Sequence, residues 1–346
     1  MAQESTNQDV SPLHFYENPR WRLLSTTLWN VLILVILAIV VLVGSMSPAG
    51  FWSSTNVQSI LWTWLAPALL VPAMSLIIAS GGIDLSVGSV AGFTAIVMAS
   101  MLASDKANIG GALMAGLLLA FLAGLVNGFL IGVCRLNAVI VTLGMMTALR
   151  GITYMIAQNV IAVADAGFLS SLALPAVVLV LLIIVCIVAT ELRYRGNTER
   201  SKPNNSASWI GQSLRIGLPY VLSGTVAGLV GAVLLGRLRA GTPSLGTGLE
   251  VDVILMTVLG GTALGGGVVN ILGGVLAALV VGMVQNIALL NGVPQLTVSA
   301  GKGIALLFFG VMCPAYYYIV NLIFIKTKKD AIVKESKQEV APTDSA

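Results

Sequence analysis

Long apolar stretches separated by short polar clusters dominate the chain. No Asp, Glu, Lys or Arg occurs in the 61 residues from Leu23 to Ile83, nor in the 49 from Val253 to Gly301. A helix crossing the hydrocarbon core of a bilayer needs about 20 mostly apolar residues, so each gap holds more than one span. Apolar length and breaker residues together predict ten spans, at 26–46, 57–79, 84–104, 110–134, 138–160, 169–190, 217–237, 250–264, 267–290 and 300–324. The eighth is short, which fits either a tilted helix or a broken one that leans on its neighbours. The pattern defines an all-α polytopic membrane protein with one transmembrane domain over 23–325.

The polar remainder sets orientation. Residues 1–22 are polar and end in Pro19-Arg20-Trp21-Arg22, unlike a cleavable signal with its basic start and short apolar core, and are expected to form a cytosolic tail. Residues 191–216 are the longest internal polar segment, and 326–346 a Lys/Glu-rich tail expected to be disordered and cytosolic. With both termini inside, 13 of the 18 basic residues fall on the cytosolic side. They include Arg135, the cluster from Arg193 to Arg215, and both tails, as the excess of Lys and Arg in cytoplasmic loops requires.

Composition narrows the class. The chain is 57% hydrophobic and only 9% charged, against about 25% charged in a soluble domain, which excludes a soluble enzyme and a disordered chain. The net charge of +4 sits in loops and tails, so its partner is membrane lipid and not nucleic acid. Cys134, Cys186 and Cys313 lie in or beside apolar stretches with no metal-ligand spacing, and the single histidine, His14, lies in the N-terminal tail. No metal, cofactor or catalytic triad is expected. No G-x-x-x-x-G-K-[ST] loop is present, so an ATPase that drives this protein must be on another chain. The 37 glycines concentrate inside the spans, as in Gly260–Gly267 and Gly273-Gly274. They serve tight helix packing or mark helix breaks that line a pathway.

A few polar residues sit in apolar surroundings. Asp84 is the only acid between Glu17 and Asp105 and follows Gly81-Gly82-Ile83. It reads as a helix N-cap in a tight turn, or as a gating residue. Arg150 falls inside the fifth span and must face a partner or the pathway. Asn127, Gln285 and Asn286 are interhelical hydrogen-bonders or pathway contacts. Trp62 and Trp64 belong to the interfacial belt or line an outer vestibule. The segment from Arg237 to Asp252 mixes both charges with turn residues and reads as an outward docking surface or a solvated loop.

The segment Gly81-Gly-Ile-Asp-Leu-Ser-Val-Gly-Ser89 resembles the G-G-I-D-L-S-V-G-S signature of ribose-type ABC sugar importer permeases. The resemblance continues through Gly124-Leu-Val-Asn-Gly128, Thr142-Leu-Gly-Met-Met-Thr147 with Arg150-Gly151, Gly246-Thr-Gly-Leu-Glu250, Val258-Leu-Gly-Gly-Thr-Ala-Leu-Gly-Gly266 and Lys302-Gly303, in family order from about 60 to 310. It implies a vitamin-B12-importer-like architecture of about ten helices. It also implies a second permease copy or paralogue, two cytosolic ABC ATPase subunits and a periplasmic or surface-tethered sugar-binding protein. The protein would then sit in the bacterial inner membrane and pass a monosaccharide or polyol without being an enzyme itself. Nucleosides, a furanosyl autoinducer and branched-chain amino acids are alternative cargoes. Few buried acids speak for the remaining rival, an ion-coupled transporter.

The resemblance marks Gly81, Gly82, Asp84, Ser86, Gly88, Arg150 and Lys302 as signature or gating positions. Residues Arg237, Arg239, Glu250 and Asp252 become candidates for docking the binding protein. The coupling segment departs from the family pattern: an acidic, Ala-rich short helix normally follows Gly196-Asn197, and here the loop is longer. Residues 206–216 are expected to form the docking helix, with Ser206, Trp209 as anchor, Gln212, Ser213, Arg215 and Gly217. A second departure is Asn137-Ala138, where the family often has proline.

Overall fold

The computed structural model describes residues 19–46, 50–104, 108–163, 185–186, 209–264 and 268–339. These contain nine helices: α1 (Pro19–Ser45), α2 (Ser54–Ala79), α3 (Val87–Ala103), α4 (Ile109–Gly132), α5 (Ala138–Ile156), α6 (Trp209–Leu238), α7 (Leu249–Leu259), α8 (Ile271–Leu290) and α9 (Gln295–Glu339). Seven are long and apolar enough to cross a membrane, whereas α3 has 17 residues and α7 only 11. A two-residue antiparallel bridge joins β1 (Ile161–Ala162) to β2 (Ala240–Gly241). The expectation of an all-helical polytopic membrane protein therefore holds.

Asparagine and serine start the helices. The side chain of Ser53 accepts the Asn56 amide at the head of α2, Asn108 accepts Gly111 N–H at 2.8 Å on α4, and Asn270 accepts Gly273 N–H at 3.1 Å on α8. Each satisfies an amide that the helix itself leaves open. Asn137, at the departure from the family's proline, does the same for α5 by accepting Val139 N–H at 2.9 Å.

The tightest seam runs between α4 and α6. A Cβ placed on Gly224 would stand 2.6 Å from the Cα of Gly124, and one on Gly128 would stand 2.7 Å from the carbonyl of Gly217. Only glycine lets the two backbones approach this closely, and in lipid such packing supplies much of helix association. The seam also polarises the bundle. Gly132 lies against Ser213, and Gly82 against Ala138 and Tyr220, so the end of α2, the end of α4 and the starts of α5 and α6 share one end, here termed basal. The other end is distal.

Several expected boundaries move. The third helix begins at Val87, not 84, because Gly81 (φ +86°) and the irregular residues after it interrupt the chain first. The seventh span begins at Trp209 instead of 217; Gly217, packed against Gly128 of α4, and Pro219 are both buried inside a continuous α6. The first helix takes in Pro19–Arg22 from the expected tail. The last helix runs from Gln295 through Glu339, which corrects the expected disorder of 326–339. No glycine or proline follows Pro314 until Pro342, and Lys, Glu, Ala and Gln extend an existing helix at little cost. Most of the sixth expected span, 169–190, and residues 191–208 lie outside the described residues.

Candidate functional site

Asp84 lies in the irregular segment between α2 and α3, toward the basal end of the bundle, and is 1% exposed. Its Oδ1 accepts the Ser86 amide at 2.9 Å and the Ser86 hydroxyl at 2.6 Å, while its Oδ2 accepts the Ser223 hydroxyl from α6 at 2.7 Å. Ser86 Oγ in turn accepts from Asn127 Nδ2 on α4 at 3.0 Å. The Asp84 side chain thus closes an Asx turn on its own backbone and does not cap the helix; Ser86 occupies the N-cap position, without a side-chain cap bond. One carboxylate joins the α2–α3 segment to α6 and, through Ser86, to α4. Thr142 of α5 adds a bond to the Ile83 carbonyl at 3.2 Å. Non-helical backbone at membrane depth survives only where protein satisfies its polar groups, and these side chains do so here.

A second broken element lies further along α3. After α6 ends, the chain turns back along α3: Gly241 faces Ala99, the Leu245 carbonyl faces Gly92, and the Gly246 carbonyl faces Gly88. That descent covers 11 residues of α3, roughly 16 Å at 1.5 Å per residue. It carries the hairpin 239–248 back to Gly88, next to the start of α3, where Gly246 (φ +76°) and Gly248 (φ +84°) reverse it into α7.

Charged side chains hold this broken element. Arg150 of α5 donates from Nη1 to the Pro243 carbonyl at 3.2 Å and the Leu245 carbonyl at 2.9 Å. Lys302 of α9 forms an ion pair with Asp252 at 2.9 Å. Glu250 accepts the Gly248 amide at 3.3 Å through Oε1 and lies within electrostatic reach of Arg150. Its Oε2 is buried against Gly88 with no hydrogen-bond partner. The far end of α7 is secured by aromatics: Trp29 donates to the Leu259 carbonyl at 2.9 Å and Tyr317 to the Gly261 carbonyl at 2.8 Å.

The structure divides some groups that the sequence put together. Arg237 and Arg239 are exposed at the distal rim, Arg237 lying 5.7 Å over the Trp62 ring, while Glu250 lies against Gly88 of α3 and Asp252 is paired with Lys302. The four do not form one surface. Asn286 exchanges hydrogen bonds with Asn56 at 2.8 and 3.0 Å across α8 and α2. Gln285 beside it is half-buried, and Trp64 donates to the Val275 carbonyl at 3.2 Å. Of the expected coupling residues, Trp209 and Gln212 are exposed, Arg215 is half-buried, and Ser213 and Gly217 are buried against α4. They form the first turns of α6 and not a separate helix; Ser206 lies outside the described residues. Sequence reasoning missed Ser223, Asn56 and Trp29, which carry no distinguishing local signal, and marked Thr142 only as the start of a signature block.

The fold and site define a multi-pass membrane protein organised around two broken elements. Residues 56–198 and 217–320 match the family model described as branched-chain amino acid transport system / permease component, and the chain belongs to that family of transport permeases. It is 30% identical over 293 residues to the ribose import permease protein of Escherichia coli (strain K12), covering 80% of this chain and 90% of the relative. It is 33% identical over 282 residues to the galactofuranose transporter permease protein of the same organism, covering 75% and 82%. It is also 30% identical over 292 residues to the L-arabinose ABC transporter permease protein of Azospirillum brasilense, covering 79% and 83%. No solved structure matches the chain. Family and relatives are transport components, so the chain is a permease and not an enzyme.

Proposed function

We propose that this permease is the membrane subunit of an ABC importer for a monosaccharide or related polyol. The observation that carries the reading is the likeness to ribose, L-arabinose and galactofuranose permeases over most of the chain and most of each relative. The basal end is cytosolic, with both termini on that side. The ten crossings are α1 to α5, the span over 169–190, α6, the hairpin with α7, α8 and α9, in a vitamin-B12-importer-like arrangement. Two such subunits, identical or paralogous, enclose the path. A periplasmic or surface-tethered binding protein delivers cargo to the distal rim near Arg237 and Arg239.

Two cytosolic ATPases supply the energy. Trp209 and Gln212, exposed on the first turns of α6, are placed to receive their motion. Because α6 is one continuous helix from Trp209 to Leu238, a push at its basal end reaches Ser223 and the Asp84 segment directly. The Asp84 contacts then transmit it to α3, and α3 to the hairpin. The test is purification of the tagged chain from native membranes with mass spectrometry of its companions. An ABC ATPase in near-equal amount supports the reading; a chain that purifies alone sinks it. The family description favours a second reading, with a branched-chain amino acid as cargo. Competition between ribose and leucine for uptake separates the two.

A further inference from the structure

Among the described residues, only two other than glycine have positive φ, and both are arginines: Arg135 at +58° and Arg239 at +50°. They stand at opposite ends of the α4–α6 seam. Arg239 follows α6 at the distal rim, where the binding protein is proposed to dock, and Arg135 follows α4 at the basal end. Arg135 takes the place where a helix commonly ends on glycine. The Leu136 amide reaches back across it to the Leu130 carbonyl at 3.1 Å. A side chain on left-handed backbone is strained, and glycine would make the same turn without that cost. Strain of this kind points to function, and here nothing in the fold uses the side chain. Arg135 is exposed, and no hydrogen bond or ion pair with another described residue engages its guanidinium.

The mount of this cation is firm. Gly124 of α4 meets Val221 of α6, Gly128 meets Gly217, and Gly132 meets Ser213. The next turn of α6 is its first, 209–212, and α4 gives way at that level to the turn 133–137. Leu130 of α4, Ala138 of α5 and Ile216 of α6 pack on one apolar cluster with Tyr220. The turn is therefore pinned to three helices. Leu136, Trp209 and Ile210 are exposed at this end of the seam, with Arg135, Asn137 and Gln212 as their polar neighbours. An apolar patch rimmed by polar residues marks an interaction site. A cation reaches lipid phosphates from any flexible turn and gains nothing from a fixed and strained one. A guanidinium held in place suits a partner of fixed geometry, and its planar fork matches a carboxylate through two parallel bonds.

We propose that the α4–α5 turn is a second ATPase contact beside the first turn of α6, and that Arg135 pairs there with a carboxylate on the ATPase surface. The proposal rests on the ABC importer reading above. A push on this turn bears on α4 and α5 as well as α6, so both sides of the seam move together.

The tagged full chain, purified from native membranes with its ATPase, provides the test. Arg135→Gly suits the left-handed backbone, so its melting temperature in detergent should be no lower than that of the unaltered chain. Its affinity for the ATPase, titrated onto the immobilised permease, is expected to fall about tenfold and to depend less on salt. Arg135→Lys puts an amine at the same place. A zero-length carbodiimide, which joins an amine to a carboxylate in contact with it, should link that amine to an Asp or Glu of the ATPase, identified by mass spectrometry of the joined peptides. Unchanged affinity of Arg135→Gly overturns the pairing, and with a lower melting temperature in anionic lipid it assigns Arg135 to headgroups instead. A carbodiimide product that joins Arg135→Lys only to a permease chain, or no product, also overturns it. If Arg135→Gly melts lower in detergent, its loss of affinity carries no weight and the cross-link decides. If the unaltered chain brings down no ATPase, the pairing falls with the importer reading; an ATPase that is recovered but indifferent to Arg135 removes the pairing alone.

Discussion

Ser223 donates its hydroxyl to Asp84 at 2.7 Å across 139 residues of sequence. The bond joins α6, whose basal turns are the proposed site of ATPase contact, to the irregular segment that leads into α3. Replacing Ser223 by alanine leaves a buried carboxylate oxygen without its donor. Such a loss costs about 1–3 kcal/mol in proteins generally, nearer the lower figure between membrane helices. Unfolding of the detergent-solubilised chain should show Ser223→Ala less stable by about 1 kcal/mol and Asp84→Ala by more. Equal stability of all three proteins would contradict the bridging role.

Lys302 and Asp252 are 12% and 22% exposed, so their ion pair is largely withdrawn from water. Removing one partner strands the other, a loss of about 3–5 kcal/mol for a fully buried pair and less here because part of each group reaches solvent. Lys302→Met and Asp252→Asn should each destabilise the protein by about 1–3 kcal/mol, with the double variant better than the sum of the two. Additive losses in that double-mutant cycle would show that the two side chains do not depend on each other.

Arg150 holds two carbonyls of the hairpin from a single nitrogen. Lysine preserves the charge but not the planar fork, so Arg150→Lys is expected to retain part of the uptake rate and Arg150→Met almost none. Uptake in whole cells, normalised to the amount of permease in the membrane, is the readout. A methionine variant with the unaltered rate would remove Arg150 from the account.

The seam of α4 and α6 has no room for side chains. Gly224→Val should prevent assembly and deplete the protein from membranes, since even a Cβ there meets the Gly124 backbone at 2.6 Å. Gly144→Ala on α5, where nothing lies within 4 Å of the added carbon, should accumulate normally. Immunoblots of membrane fractions compare the two, and equal amounts would contradict the close packing.

Much of the architecture was legible in the chain because hydrocarbon imposes length and polarity on a helix. The charge-free runs located most spans, and the Gly81–Ser89 signature marked the first broken element before any contact was known. The second break was harder to see. Arg237 to Asp252 has the charges, Gly and Pro of an ordinary solvated loop, and only its descent along Gly92 and Gly88 shows that it runs back into the helix bundle. Asp84 was visible as an isolated acid, but its partner Ser223 is far off in sequence and resembles any small polar residue in an apolar helix. The start of α6 was misplaced because Gly217 and Pro219 are helix breakers in water and packing residues here.

The central claim is that this permease moves cargo only when ATP is hydrolysed on a partner. Its most direct test is uptake of radiolabelled D-ribose into proteoliposomes holding the permease with its co-purified ATPase and binding protein. The account predicts uptake that requires ATP, ceases when hydrolysis is blocked and is indifferent to ionophores. Uptake by the permease alone, driven by an ion gradient and abolished by ionophores, would contradict it.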